Sequence, residues 1–109
     1  MRVYVAGPVT GVPELNRPAF EEAAGRIVGA GHTAIVPHWF VPADASWQDA
    51  MRTSLDLLAA CEVVALLDGW ERSRGAKLEA RVAYELGMPV MTADGLIFRK
   101  GPDGRGAMR

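Results

Sequence analysis

Cysteine is nearly absent: Cys61 stands alone among 109 residues, which excludes a disulfide within the chain. No Cys/His cluster has metal-ligand spacing either, so no metal site is expected. Net charge is scarce. Twelve Lys and Arg against 13 Asp and Glu leave −1 at pH 7, with a pI near 6.1. That balance argues against a nonspecific nucleic-acid binder, though a few local donors suffice for one small phosphate. No apolar run is long enough to span a bilayer. The first residues enter a strand pattern directly, without the layout of a signal peptide. Repeats and low-complexity segments are missing. These absences point to one cytoplasmic domain that engages neither membrane nor nucleic acid.

What is present is the material of a core. Half the residues are hydrophobic and 23% are charged, a balance that favours a packed domain over disorder. Cys61 adjoins an apolar run and reads as a small buried hydrophobe.

Patterning along the chain alternates strands with helices. Arg2 to Gly7 reads as a first strand, ended by Gly7-Pro8, with a loop from Val9 to Asn16. Pro18 lies near a helix start, where proline is tolerated. Phe20, Ala23, Ala24, Ile27 and Val28 follow at helical spacing until Gly29 and Gly31 weaken and end the helix. His32 to Val36 is a second strand, stopped by Pro37, and His38 to Ala45 is a loop. Ser46-Trp47-Gln48-Asp49 resembles a capping box with Asp in place of Glu. The helix after it sets Met51, Leu55 and Leu58 on one face. Val63 to Leu67 is a third strand, about Ala76 to Leu86 a third helix, and Pro89 to Met91 a short fourth strand. Leu96 to Phe98 is a candidate fifth strand.

This alternation predicts an α/β fold, a flavodoxin/Rossmann-like three-layer sandwich with a 4–5-stranded, mainly parallel sheet. Residues 1–100 form the expected single domain, and 101–109 a flexible polar tail. The loops after the first three strands then gather at the C-terminal edge of the sheet, where open α/β sheets bind ligands. Glu79 falls on the third helix, about one turn past the loop from Asp68 to Ser73. A carboxylate there, behind Ser73 and the free N–H groups of a helix start, marks a site for an anionic sugar ligand.

The motifs carry a resemblance. Tyr4-x-Ala6-Gly7-Pro8, Asn16-Arg17-Pro18-Ala19-Phe20, Gly69-Trp70-Glu71-Arg72-Ser73-Arg74-Gly75-Ala76 and Glu79, with Ala83 and Gly87-x-Pro89-Val90 beyond, resemble the nucleoside 2-deoxyribosyltransferase-like superfamily. The likeness spans roughly Met1 to Met91 and is nearest to short bacterial and phage domains of that superfamily. It implies chemistry at an N-glycosidic bond. Glu79 matches the glutamate that attacks the anomeric carbon, and Tyr4 the tyrosine that orients it. Gly7, Pro8, Asn16, Arg17, Asp68, Gly69, Trp70, Ser73, Arg74 and Gly75 are the candidate substrate-binding residues. No metal or organic cofactor is implied, because the glutamate supplies the nucleophile.

Ser73 bears on the substrate. The resemblance associates an acidic residue six positions before the nucleophile with transferases acting on free nucleosides, and serine there with hydrolases of nucleoside 5′-monophosphates. A carboxylate repels a phosphate, whereas a hydroxyl beside backbone N–H groups and Arg74 accepts one. The expectation is therefore hydrolysis of a (deoxy)nucleoside 5′-monophosphate to free base and sugar 5-phosphate. The alternatives are a nucleoside 2-deoxyribosyltransferase and a non-catalytic nucleotide sensor. One departure stands out: Ser54 occupies the position where relatives carry an aspartate on the second helix. The resemblance also implies a homo-oligomer that completes its sites with a neighbouring subunit, with Asp94 and the segment after it as candidates for the donated piece.

Each residue has a plainer reading too. Glu79 competes with an ordinary exposed helix glutamate, Tyr4 with a core aromatic, Ser73 with a simple N-cap, and Gly7-Pro8 and Asp68-Gly69 with turns. Arg17 and Arg74 compete with solvated surface arginines. Trp39 and Trp70 are placed at the ligand edge, where a base can stack, against loop packing. Trp47 is expected to pack at a helix start, His38 to be a candidate general acid, and His32 to be structural.

Overall fold

The computed structural model describes residues 1–98 of the chain. Four strands form one sheet: β1 (Arg2–Ala6), β2 (Thr33–Ile35), β3 (Val63–Leu66) and β4 (Val90–Thr92), in the order β2-β1-β3-β4. All three pairings are parallel, with Tyr4 opposite Ile35 on one side and Val64 on the other. Helices α1 (Arg17–Gly29), α2 (Trp47–Ala59) and α3 (Arg74–Glu85) make the crossovers, and α4 (Ala93–Phe98) follows β4.

The layers follow from the two-residue period of a strand. Val3 and Val5 face one side of the sheet and pack with Phe20, Ala23, Ala24 and Ile27 of α1 and with Ala93 and Leu96 of α4. Tyr4 and Ala6 face the other side, where Leu58 of α2 and Ala83 of α3 lie. With both faces covered, the strands are continuously apolar rather than alternating, as parallel strands require. The result is a three-layer α/β sandwich of the flavodoxin/Rossmann-like kind. Cys61 is buried in the second layer, its Sγ–H directed at the Leu57 carbonyl 3.4 Å away.

The chain adds β2 on one side of β1 and β3 on the other. The C-terminal ends of β1 and β3 thus flank the topological switch point, the place where such sheets open a crevice.

Leu96 to Phe98 is helical, not a fifth strand. The Thr92 hydroxyl accepts the Gly95 N–H at 3.0 Å, which caps a helix immediately after β4. Leu96 then enters the core from a helix face. The expected tail, 101–109, lies outside the described residues. Among those described, no helix is long and apolar enough to cross a membrane.

Candidate active site

Helix α3 is what carries Glu79 inward. Ser73 precedes it in extended conformation and accepts the Ala76 N–H at 3.1 Å, fixing the first turn. From there Ala76, Glu79 and Ala83 recur at spacings of three and four and form the buried face. A carboxylate thus occupies an otherwise small, apolar stripe and is only 5% exposed.

Tyr4 meets it from the sheet. The pleat of β1 turns Tyr4 toward α2 and α3, fully buried, and its hydroxyl donates a hydrogen bond to Glu79 Oε2. Burial pushes the Glu79 carboxyl up from 4.5 to about 7, and the hydrogen bond from Tyr4 works against that rise. The Tyr4 phenol is held well above 10.0, first by burial and then by the adjacent Glu79 charge and hydrogen bond, while a hydrogen bond with Ser54 opposes the rise. Tyr4 is therefore a neutral donor at any physiological pH. It stands behind the carboxylate rather than in the cavity wall. Ser54, 5% exposed on α2, completes the cluster and also faces the cavity.

The cavity in front of Glu79 has a volume of about 380 Å³. Three loops build it at the C-terminal edge of the sheet. Gly7, Val9, Thr10, Gly11, Leu15 and Arg17 come from the β1–α1 connection. Pro37, His38, Val41, Pro42, Ala43 and Ala45 come from the β2–α2 connection, followed by Trp47, Ala50, Met51 and Ser54 of α2. Ser73, Gly75 and Ala76 border Glu79 at the start of α3. Glu79 is the one carboxylate among these lining residues and Arg17 the one full cation. No group of three or more His, Cys, Asp or Glu among the described residues is placed to hold a metal ion.

Two glycines of the wall matter sterically. A Cβ at Gly7 meets Leu67 Cβ at 2.8 Å, and one at Gly75 meets Met51 Sδ at 3.2 Å. Close packing at Gly7 joins the ends of β1 and β3. The absent side chain at Gly75 keeps the cavity open.

The β1–α1 loop contains a left-handed turn without glycine: Glu14, Leu15 and Asn16 all have φ between 53 and 59°. Glu14 and Leu15 each pay roughly 1–2 kcal/mol for this, a cost that asparagine largely escapes, so the turn depends on fastenings. Asn16 Nδ2 donates to the Pro8 carbonyl at 2.9 Å, the Leu15 N–H donates to the Val12 carbonyl at 2.9 Å, and His38 Nε2–H donates to the Leu15 carbonyl at 2.7 Å.

The residues expected to bind substrate divide into two groups. Gly7, Arg17, Ser73 and Gly75 lie in the wall with Glu79. Pro8, Asn16, Asp68, Gly69, Trp70 and Arg74 do not. Pro8 and Asn16 shape the first loop. Asp68 is exposed, and Gly69, at φ +87, turns the chain out of β3 into a short 3-10 helix. Trp39, 49% exposed, and Trp70, packed on the α2/α3 side of the core, follow β2 and β3 at the expected edge, but neither is in the cavity wall. Trp47 is, with the Arg74 guanidinium 3.7 Å above its ring. Spacing alone did not reveal this, because Trp47 reads as a helix-start residue. The clue available was its place on the same helix as Met51 and Ser54. His38 faces the cavity with its ring but has committed Nε2–H to Leu15, and Nδ1 is buried with no hydrogen-bond partner among the described residues. This geometry does not suit a general acid. Asp94 pairs with Arg26 of α1 at 2.9 Å.

The fold is similar to that of a 2-desoxiribosyltransferase from Leishmania mexicana (TM-score 0.67, 18% identity), over 84% of this chain and 62% of that one. It is likewise similar to a 2-deoxyribosyltransferase from the psychrotolerant bacterium Bacillus psychrosaccharolyticus (TM-score 0.64, 20% identity), over 84% of this chain and 71% of that one. The chain thus spans less than two thirds of the Leishmania protein, and at these identities the likeness concerns the fold. No curated protein matches the chain. The family described as a domain of unknown function, DUF4406, matches residues 1–92, and the chain belongs to that family.

Proposed function

We propose that this protein cleaves an N-glycosidic bond of a nucleoside-type substrate through a glycosyl intermediate on Glu79, and that it passes the 2-deoxyribosyl group to a second base. The observation that carries the reading is the Tyr4–Glu79 pair: a buried carboxylate, oriented by a tyrosine from the sheet, at the floor of a cavity at the switch point. Similarity of fold to two deoxyribosyltransferases supports transfer over hydrolysis.

In the first step a Glu79 oxygen bonds to the anomeric carbon as the carbon–nitrogen bond breaks, its electron pair leaving with the base. The sugar is cation-like in the transition state, and the carboxylate stabilises it as it attacks. In the second step a ring nitrogen of the acceptor base attacks the same carbon and the carboxylate departs with its electron pair. Tyr4 holds Glu79 in the attacking geometry, and its hydrogen bond opposes the burial that raises the carboxyl to about 7, so that a fraction stays ionised at neutral pH.

Hydrolysis of a nucleoside 5′-monophosphate is the second reading. Ser73 and Arg17 favour it. The Ser73 oxygen accepts from Ala76, which leaves its own hydrogen free for a ligand oxygen, and among the described residues no carboxylate besides Glu79 borders the cavity to repel a phosphate. In that case water replaces the acceptor base. A homo-oligomer belongs to the proposal in either form.

The test is a panel of 2′-deoxyribonucleosides and their 5′-monophosphates, each incubated with and without a second free base. New nucleoside that appears only with the acceptor supports transfer. Base release from monophosphates alone, unaffected by acceptor, supports hydrolysis. Absence of both with every substrate overturns the enzymatic reading.

A further inference from the structure

We propose that His38 is a positioning residue that fastens the left-handed turn at Glu14–Asn16 and so fixes the cavity wall supplied by the β1–α1 loop. The two loops it joins are separate in sequence: His38 follows β2, and its hydrogen-bond acceptor, Leu15, follows β1. A carbonyl only accepts, so Nε2 carries the proton of this bond. The ring is clamped on its own side. It tilts against Phe20 with centroids 4.4 Å apart, and it springs from a short helix whose turn is closed by Trp39 N–H to the Val36 carbonyl at 3.1 Å. A rigidly held donor thus meets a turn whose left-handed φ Glu14 and Leu15 do not adopt unaided. Leu15 and Arg17, on either side of the turn's end, line the cavity, while Tyr4 and Glu79 belong to β1 and α3 and do not depend on the loop. His38 accordingly governs how ligand is held rather than the chemistry at Glu79.

The experiment compares amide hydrogen exchange of wild type, His38→Leu and His38→Gln; the glutamine amide reproduces the Nε2–H donor and the leucine does not. Exchange over residues 10–17 is expected to be about tenfold faster in His38→Leu, with the strands unchanged, and to return toward wild type in His38→Gln. If His38→Leu does not fold, His38→Asn, whose amide reaches only the Nδ1 position, replaces it. Uniform acceleration across the fold, no acceleration, or no rescue by glutamine overturns the proposal. This arm is independent of the glycosyl-transfer reading. A kinetic arm rests on that reading: the loss in His38→Leu falls mainly on KM and is restored in His38→Gln. A loss confined to kcat and equal in both variants contradicts positioning and indicates direct proton transfer.

Discussion

Tyr4, in one of the two central strands, donates its phenolic hydrogen to Glu79 on α3, 75 residues further along the chain, inside the layer between the sheet and helices α2 and α3. The pair sets opposite pulls on one carboxyl group. Burial raises it to about 7 and Tyr4 draws it down. In the proposed chemistry the ionised form is the nucleophile, so kcat/KM should fall about tenfold per unit as pH drops below about 7. Tyr4→Phe deletes the lowering influence, and its acid limb should lie at higher pH than that of wild type. A pH profile of both proteins checks this, and an unchanged limb in Tyr4→Phe counts against the pairing.

The same shift makes Glu79 a cost to the fold above neutrality. Its carboxyl holds a proton more tightly folded than unfolded, so stability declines as pH rises from 4.5 to about 7 and stays low beyond. A shift of that size corresponds to about 3 kcal/mol as an upper bound. Glu79→Gln, which still accepts from Tyr4, should melt several degrees above wild type at pH 8, with the gap closing near pH 4. Thermal melts at the two pH values measure it; equal gaps would show that ionisation of Glu79 is not the cause.

The two glycines of the wall should respond differently to alanine. At Gly7 the new Cβ meets Leu67 Cβ, an atom tied to backbone, and Gly7→Ala should cost about 1–3 kcal/mol in denaturant titration. At Gly75 it meets the flexible thioether of Met51 inside a helix that favours alanine by up to about 1 kcal/mol. Gly75→Ala should keep its stability and raise KM instead, since the methyl group projects into the cavity wall. Equal destabilisation by both would refute the distinction.

Ser73 is expected to serve twice. Ser73→Ala removes the cap on Ala76 and should cost about 1 kcal/mol of stability. Beyond that, a phosphate contact predicts a larger rise in KM for a 5′-monophosphate than for the matching nucleoside. Equal rises would confine Ser73 to capping.

Most of the sheet was legible because buried parallel strands and their glycine or proline stops leave apolar runs such as Val63 to Leu67. The ends were less so. Leu96 to Phe98 has the composition of a strand, and what makes it helical is the hydroxyl of Thr92, the last residue of β4, capping the helix that starts at the next residue. The inward place of Glu79 was readable from alanines three before and four after it. The tryptophans were not, because which loop residues face a crevice depends on how three connections meet. Trp47 enters the cavity from a helix start while Trp70 turns back onto the core. The left-handed turn at Glu14–Asn16 carries no sequence signal, since its conformation is imposed by partners distant in the chain, among them His38.

The most direct measurement is intact-mass analysis with peptide mapping of wild type and Glu79→Gln after brief exposure to a 2′-deoxyribonucleoside and to its 5′-monophosphate. Wild type should show a sugar adduct on the peptide carrying Glu79, together with base release, and Glu79→Gln should show neither. An adduct on another residue, or undiminished base release by Glu79→Gln, would contradict it.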